Sequence, residues 1–336
     1  MSSSMNHTLL RCCAALLLIG LGLFWHKPAQ AATDISCTAT MTNVAFGTVD
    51  PQSSQTDASG TLDYTCTNTA NQTRYATICF SVGDGAQGAG QTNPRQMEDA
   101  SGDVLKFQLY QNASYSTVWG SSFFGAFNTP YMANVTVPRR RGGNNGSVSG
   151  SATMYGRVSN GQTTAIPGAY QNAFNGGHTA ITVNEGNNAP PGSCDSTILD
   201  SFPFTVTATV ANKCTVSAGM LNFGNVGLLT AALPGTSTVS VQCASGTPYN
   251  VGLDGGQNSG GNINARRMLL GANTVGYQLY RNPGRTLVWG NTVGTNTVAG
   301  TGNGSTQNLT VYGQVPAQAT PPAGTYNDTI TVTVTY

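Results

Sequence analysis

The chain states its own pattern twice, and this duplication limits its fold more than any single motif. Cys37 and Cys66 stand 29 residues apart, as do Cys214 and Cys243. Val44-Ala45-Phe46-Gly47-Thr48-Val49 returns as Leu221-Asn222-Phe223-Gly224-Asn225-Val226. Asn93-Pro94-Arg95-Gln96-Met97 returns as Asn264-Ala265-Arg266-Arg267-Met268, and Phe107-Gln108-Leu109-Tyr110 as Tyr277-Gln278-Leu279-Tyr280. Val118-Trp119-Gly120 matches Val288-Trp289-Gly290, Tyr155-Gly156-Arg157-Val158 matches Tyr312-Gly313-Gln314-Val315, and Gly168-Ala169-Tyr170 matches Gly324-Thr325-Tyr326. The order never changes, which marks two tandem copies of one structural unit.

Short alternating runs broken by Gly, Asn and Pro point to an all-β chain of sandwiches or barrels. In copy one the runs predict strands over 35–45, 60–67, 74–83, 104–111, 148–158, 168–184 and 201–210. In copy two they predict strands over 213–221, 236–243, 248–254, 275–280, 306–315 and 325–335. The run at 201–210 places Phe202, Phe204, Val206, Ala208 and Val210 on one face, as a half-buried strand requires. Copy two shows no counterpart to it. Its last run carries Ile330, Val332, Val334 and Tyr336 on one face and reads as a penultimate strand. The linker Ala211-Asn212-Lys213 is too short to give the copies much independence.

Residues 1–31 read as a signal peptide. Arg11 precedes an apolar run from Ala14 to Trp25, and Ala29-Gln30-Ala31 offers small residues for cleavage. The expected mature chain therefore begins at residue 32, in an oxidising compartment. Of eight cysteines, removal of Cys12 and Cys13 leaves six. The repeat pairs Cys37 with Cys66 and Cys214 with Cys243. Cys79 and Cys194 are left, Cys79 aligning with Tyr249 and Cys194 lying in an insertion, so both are private to copy one. Their pairing is the simplest arrangement, with other connectivities open. Charged residues make up only 8% of the chain, and the mature balance is 12 basic against 13 acidic residues. No global field draws this surface to nucleic acid.

Together the paired Cys, Phe-Gly, Gln-Leu-Tyr, Trp-Gly and Tyr-Gly-x-Val elements resemble tandem spore coat protein U domains. A two-domain chain of this kind is similar to the tip adhesins of archaic (Csu-type) chaperone–usher pili. The resemblance implies two immunoglobulin-like sandwiches end to end, an N-terminal tip domain over 32–210 and a C-terminal pilin domain over 211–336. It implies that the second is incomplete, lacking its final strand and taking it from a neighbour. The implied partners are a periplasmic chaperone, an outer-membrane usher, an adjacent pilin subunit that donates a strand, and an abiotic or host surface. The implied place is the cell surface at a pilus tip, reached through the periplasm, in attachment and biofilm formation. Two other readings stand beside it: a secreted glycan-binding, lectin-like module, and a non-adhesive spore-coat or matrix protein.

Strand arithmetic bears on that resemblance. Only five residues, Ala32 to Ser36, precede Cys37, and at about 3.3 Å per residue they are too short to run along a neighbour's sheet. The expectation is a subunit that accepts a strand and gives none, and so ends a fibre. A missing strand with four or five inward apolar side chains would withhold on the order of 10 kcal/mol from copy two, comparable to a whole domain's stability.

Copy one exceeds copy two mainly at 121–146 and 171–200. The first stretch holds Phe123, Phe124, Phe127, Tyr131 and Met132, followed by Arg139-Arg140-Arg141, and its counterpart 291–307 has no aromatic residue. Strand direction sends both 121–146 and 185–200 to the pole away from copy two. The Phe-rich loop then either sticks to hydrophobic surfaces or folds back and caps the sandwich. Phe174 and the three arginines are secondary adhesive candidates. Trp119 and Trp289, and likewise Tyr155 and Tyr312, occupy equivalent repeat positions, which favours a shared core role. For catalysis, His178 is the lone mature histidine, the cysteines are spoken for as bridges, and neither a Gly-x-Ser-x-Gly nor a phosphate-loop motif occurs. The expectation is no enzyme, no cofactor and no metal.

Overall fold

The structure, a computed structural model, describes residues 33–88, 90–91 and 93–336. The expected signal peptide lies outside the described residues. Nearly all regular structure is β, as alternating Thr, Val and Gly-punctuated runs dictate.

Copy one begins with β1 (Ile35–Met41), β2 (Val44–Val49), β3 (Thr56–Asn68), β4 (Arg74–Val82) and β5 (Arg95–Glu98). It continues with β6 (Val104–Tyr110), β7 (Tyr131–Val137), β8 (Gly146–Val158), β9 (Gly168–Phe174), β10 (Thr179–Gly186) and β11 (Phe204–Val210). One sheet runs β1-β3-β8-β6-β5-β9-β11-β2, and a second runs β10-β4-β7. The large sheet curls, since its two edge strands β1 and β2 are consecutive in the chain. The predicted strand 168–184 is two strands: after Phe174 a short 3-10 turn, Gly176–His178, carries the chain from the first sheet to the second. The stretch 121–146, read as a loop, contains β7, which pairs with β4 from Phe80↔Tyr131 to Arg74↔Val137.

Strand β11 closes this unit. It pairs antiparallel with β9 and parallel with β2, so both its edges are bonded. Phe202, Phe204, Val206, Ala208 and Val210 all turn inward and are buried. Phe204 stacks on Phe174 at a centroid distance of 4.6 Å, and Phe202 meets Phe80 edge-on at 5.8 Å. Val210 and Val49 finish side by side at one pole, where Asp50 forms an ion pair with Lys213 at the entrance to copy two. The opposite pole is fixed by Asn68↔Gly146, Arg74↔Val137 and Tyr75↔Gly186.

Copy two holds β12 (Cys214–Ala218), β13 (Leu233–Cys243), β14 (Pro248–Leu253), β15 (Arg267–Leu270) and β16 (Asn273–Gly276). After these come β17 (Gln278–Tyr280), β18 (Val298–Thr301), β19 (Thr306–Val315) and β20 (Val332–Thr335). Its main sheet is β12-β13-β19-β17, matching β1-β3-β8-β6, and its second sheet is β18-β14-β20, matching β7-β4-β10.

Each copy has its own hydrophobic core and, inside it, one arginine. Arg95 is fully buried, its Nε donating to the Gly83 carbonyl at 2.6 Å and its Nη2 to the Val82 and Trp119 carbonyls at 2.7 Å. Arg266 donates equivalently to the carbonyls of Asp254, Leu253 and Trp289, and to Gln278 Oε1 at 2.7 Å. Burial pulls the Arg95 guanidinium down to about 9 and lowers Arg266 in the same direction, so Arg95 stays charged at neutral pH. Trp119 and Trp289 are likewise buried, donating their indole N–H to the Phe80 and Val251 carbonyls at 2.8 Å. These matched bonds align Phe80 with Val251, and therefore Cys79 with Asn250 rather than Tyr249. Phe174, an adhesive candidate from sequence, is a core residue with no exposed surface. Its alternation continues the inward face of β9.

Candidate functional site

Among the described residues, two places depart from a finished, evenly covered sandwich. The first is the flank of copy two where copy one places β9, β11 and β2 side by side. Residues 221–226, the counterpart of β2, form no strand, and residues 324–330, the counterpart of β9, form none apart from a single bridge, Leu269↔Asn327. The predicted strand 325–335 thus shrinks to β20, and 213–221 to β12. The reason is local: a strand segment needs a bonded neighbour, and the described residues of copy two supply none between these edges.

Side chains on this flank still face inward. Leu221 and Phe223 lie over Gly235 and Gly313, as Val44 and Phe46 lie over Gly156. Yet they are only half covered, together with Tyr326, Ile330, Val332 and Val334. Their counterparts Val44, Phe46, Tyr170 and Phe174 are all buried. Further out, Met220 is 89% exposed, Leu228 68% and Tyr336 55%. The result is an apolar trough bordered by two backbone edges whose ladder groups lack strand partners, the arrangement that invites another strand.

The second place is the outer face of the β10-β4-β7 sheet. Both insertions of copy one meet there. The segment 121–130 crosses the sheet at mid-height: Ser122 N–H donates to Ser81 Oγ at 3.3 Å, and Phe124 rests on Gly83 and Gly177 with its ring stacked against His178 at 5.8 Å. His178 itself is held by Asp84 at 2.8 Å. From the other side the connection after β10 folds back over the sheet, pinned by Gly192 N–H to Thr77 Oγ1 at 2.8 Å and by the Cys79–Cys194 disulfide. Between the two lies an open groove of about 550 Å³, lined by Phe123, Met132, Gln111, Asn128 and Asp195 among others.

The predicted adhesive residues divide along this geometry. Phe124 and Met132 are exposed, while Phe123, Phe127 and Tyr131 are half-buried, Tyr131 against Trp119 at 5.0 Å. The Phe-rich segment sits on the flank of the sandwich, not at the far pole as strand direction suggested, because β7 intervenes and carries the chain on to that pole. Arg139, Arg140 and Arg141 are what arrives there, all exposed. The groove residues Gln111, Asn128 and Asp195 were invisible as a set. The private cysteine pair was the usable signal, since a bridge from mid-strand Cys79 must drag the 194 region across the sheet. The other two disulfides, Cys37–Cys66 and Cys214–Cys243, join directly opposed residues of β1–β3 and β12–β13. Among the described residues no group of three or more His, Cys, Asp or Glu side chains is placed to hold a metal ion.

A family model for the Spore Coat Protein U domain matches residues 27–176 and, a second time, 200–333. The chain belongs to the spore coat protein U domain family. It carries two copies of the domain, and the unmatched stretch between them covers β10 and the returning connection. Among curated relatives, Protein U of Myxococcus xanthus is 35% identical over 145 residues, spanning 38% of this chain and 80% of the relative. Among solved structures, the CsuC–CsuE complex of chaperone and tip subunit from the archaic Csu pili of Acinetobacter baumannii aligns with 90% of this chain and all of its own. The TM-score there is 0.50 at 17% identity, a likeness of fold. The CupB6 tip adhesin of Pseudomonas aeruginosa aligns with 89% of this chain and 93% of its own at a TM-score of 0.34 and 12% identity. The architecture is the immunoglobulin-like one of the Csu pilus subunit, written twice in this spore coat protein U chain.

Proposed function

We propose that this protein is the tip subunit of a chaperone–usher pilus. Residues 32–210 form its outward, adhesive domain, and residues 211–336 form a pilin domain that joins the fibre by accepting a neighbour's strand. The observation that carries the reading is the contrast between the two copies. Copy one fills the space between its β2 and β9 edges with β11. Copy two has both edges, half-covered apolar side chains between them, and no strand there among its described residues. A unit in this state needs a lent strand in the periplasm, hence a chaperone, and a donated one at the usher. Copy one, already closed, accepts nothing and ends the fibre. Its flank, where Phe123 and Met132 face Cys194–Ser196 across the groove and Phe124, Ile198 and Leu199 are exposed, then meets an abiotic or host surface in attachment and biofilm formation.

The test appends a copy of Ser201–Val210 behind Tyr336 through a flexible linker of about eight residues. Differential scanning calorimetry of the mature chain is expected to show copy two as a weak, low transition. The appended strand raises that transition by more than about 10 °C and leaves copy one unchanged. A control strand with its five inward residues changed to Ser leaves copy two where it was. If copy two melts sharply without any added strand and gains nothing from one, the fibre reading falls.

A further inference from the structure

Among the described residues, the pole of copy one farthest from copy two is made of three loops, 69–73, 138–145 and 187–191, beside Thr33 and Asp34. None of the large apolar side chains exposed among the described residues falls in them. They present amides instead, from Asn71, Gln72, Asn144, Asn145, Asn187 and Asn188, all exposed. In their midst stand Arg139, Arg140 and Arg141. The ion pairs among the described residues are Arg74–Asp34, Arg157–Asp57, His178–Asp84 and Lys213–Asp50. None of them takes one of the three guanidiniums. The two acids near this pole are otherwise engaged: Asp34 holds Arg74, and Glu185 Oε1 accepts the Ile35 N–H at 2.8 Å.

The arginines are mounted, not trailing. Gly142 and Gly143 have φ of 56° and 89°, and Arg141 and Asn144 exchange both backbone hydrogen bonds at 3.0 and 2.9 Å. That is a tight turn with two left-handed positions, which glycine alone fills without strain. Beneath it, fully buried Asn68 donates from Nδ2 to the carbonyls of Gln72, Val137 and Pro138, and accepts the Ala70 N–H at 2.8 Å. Arg140 N–H closes the clasp on the Ala70 carbonyl at 2.8 Å. Copy two has no counterpart: its stretch 291–307 contains no arginine.

We infer that this pole is a docking surface for an acidic polysaccharide. A planar guanidinium pairs with carboxylate or sulfate through two parallel hydrogen bonds, and the surrounding amides suit sugar hydroxyls. Chain-borne acid groups at sugar spacing engage several arginines at once, which a single ion does not. The inference stands apart from the fibre reading, since the unassembled chain carries the same pole.

The experiment is biolayer interferometry of the full mature chain on immobilised alginate (carboxylate), heparin (sulfate), dextran (neutral) and phosphatidylglycerol vesicles. Alginate or heparin is expected to hold the chain and dextran to leave it, with binding lost between about 0.1 M and about 0.5 M salt. The triple variant R139S/R140S/R141S binds at least about tenfold more weakly, and the triple lysine variant falls between. K106S/R267S, which removes two exposed cations elsewhere, binds as the parent does. Retention of the triple serine variant within twofold of the parent overturns the inference, as does equal loss in the control pair. Equal binding to dextran, or capture by the vesicles alone, also overturns it.

Discussion

At the scale of single residues, the most telling position is a charge inside a hydrophobic core, present in both copies. Arg95 and Arg266 reach from the strand after the β4-type turn to the carbonyl of the buried tryptophan in their own copy. Removing the guanidinium leaves several buried carbonyls without a donor, and each costs on the order of 1–3 kcal/mol. Arg95→Met is therefore expected to destabilise copy one by roughly 3–5 kcal/mol, read as the loss of its calorimetric transition, with copy two's unmoved. Sequence contained this pair in plain view, since Asn-Pro-Arg aligned with Asn-Ala-Arg, but an arginine reads as surface by default. Phe174 shows the opposite error. It lay in an insertion rich in Asn and Gly, and composition placed it outside. The period of two through Tyr170, Asn172 and Phe174 would have placed it inside.

Elements were legible where an alternating run is long, and illegible where a strand is as short as the four-residue β5 or follows a run that reads as a loop. Strand β11 could be read from its alternation alone, and its packing makes a firm demand: Phe204→Ala is expected to cost copy one about 3–5 kcal/mol in denaturant-induced unfolding. Strand β7 was missed although Ala133, Val135 and Val137 alternate with outward Met132, Asn134 and Thr136, because the Phe-rich run before it suggested a loop. The consequence was a wrong address for the aromatic residues. The adhesive role proposed for them predicts an effect separable from folding. Phe123→Ser with Phe124→Ser is expected to leave copy one's unfolding temperature within about 5 °C of the parent while cutting adsorption to polystyrene severalfold. A collapse of folding instead would show that these rings serve the core. The Cys79–Cys194 bridge closes the longest loop, with a sequence separation of 115. Its removal by Cys79→Ser and Cys194→Ser is expected to cost roughly 3–5 kcal/mol in copy one alone and to loosen the groove's far wall.

At the scale of the whole molecule, the duplication yields two cores of unequal completeness joined by three residues. The seven-residue β11 runs straight from the closing position of copy one into that junction, bonded along its full length to β9 and over most of it to β2. Hydrogen bonds in such a ladder lie across the strand. Any pull between a held copy one and a tethered copy two passes along β11, so it loads those bonds together in shear instead of peeling them one by one. The ion pair of Asp50 with Lys213 sits at the point where the tension enters. The strand that completes the first unit is thereby also the path that tension takes through the molecule, and under the proposed tip role the force a bound copy one withstands is set by how firmly β11 stays in its own fold.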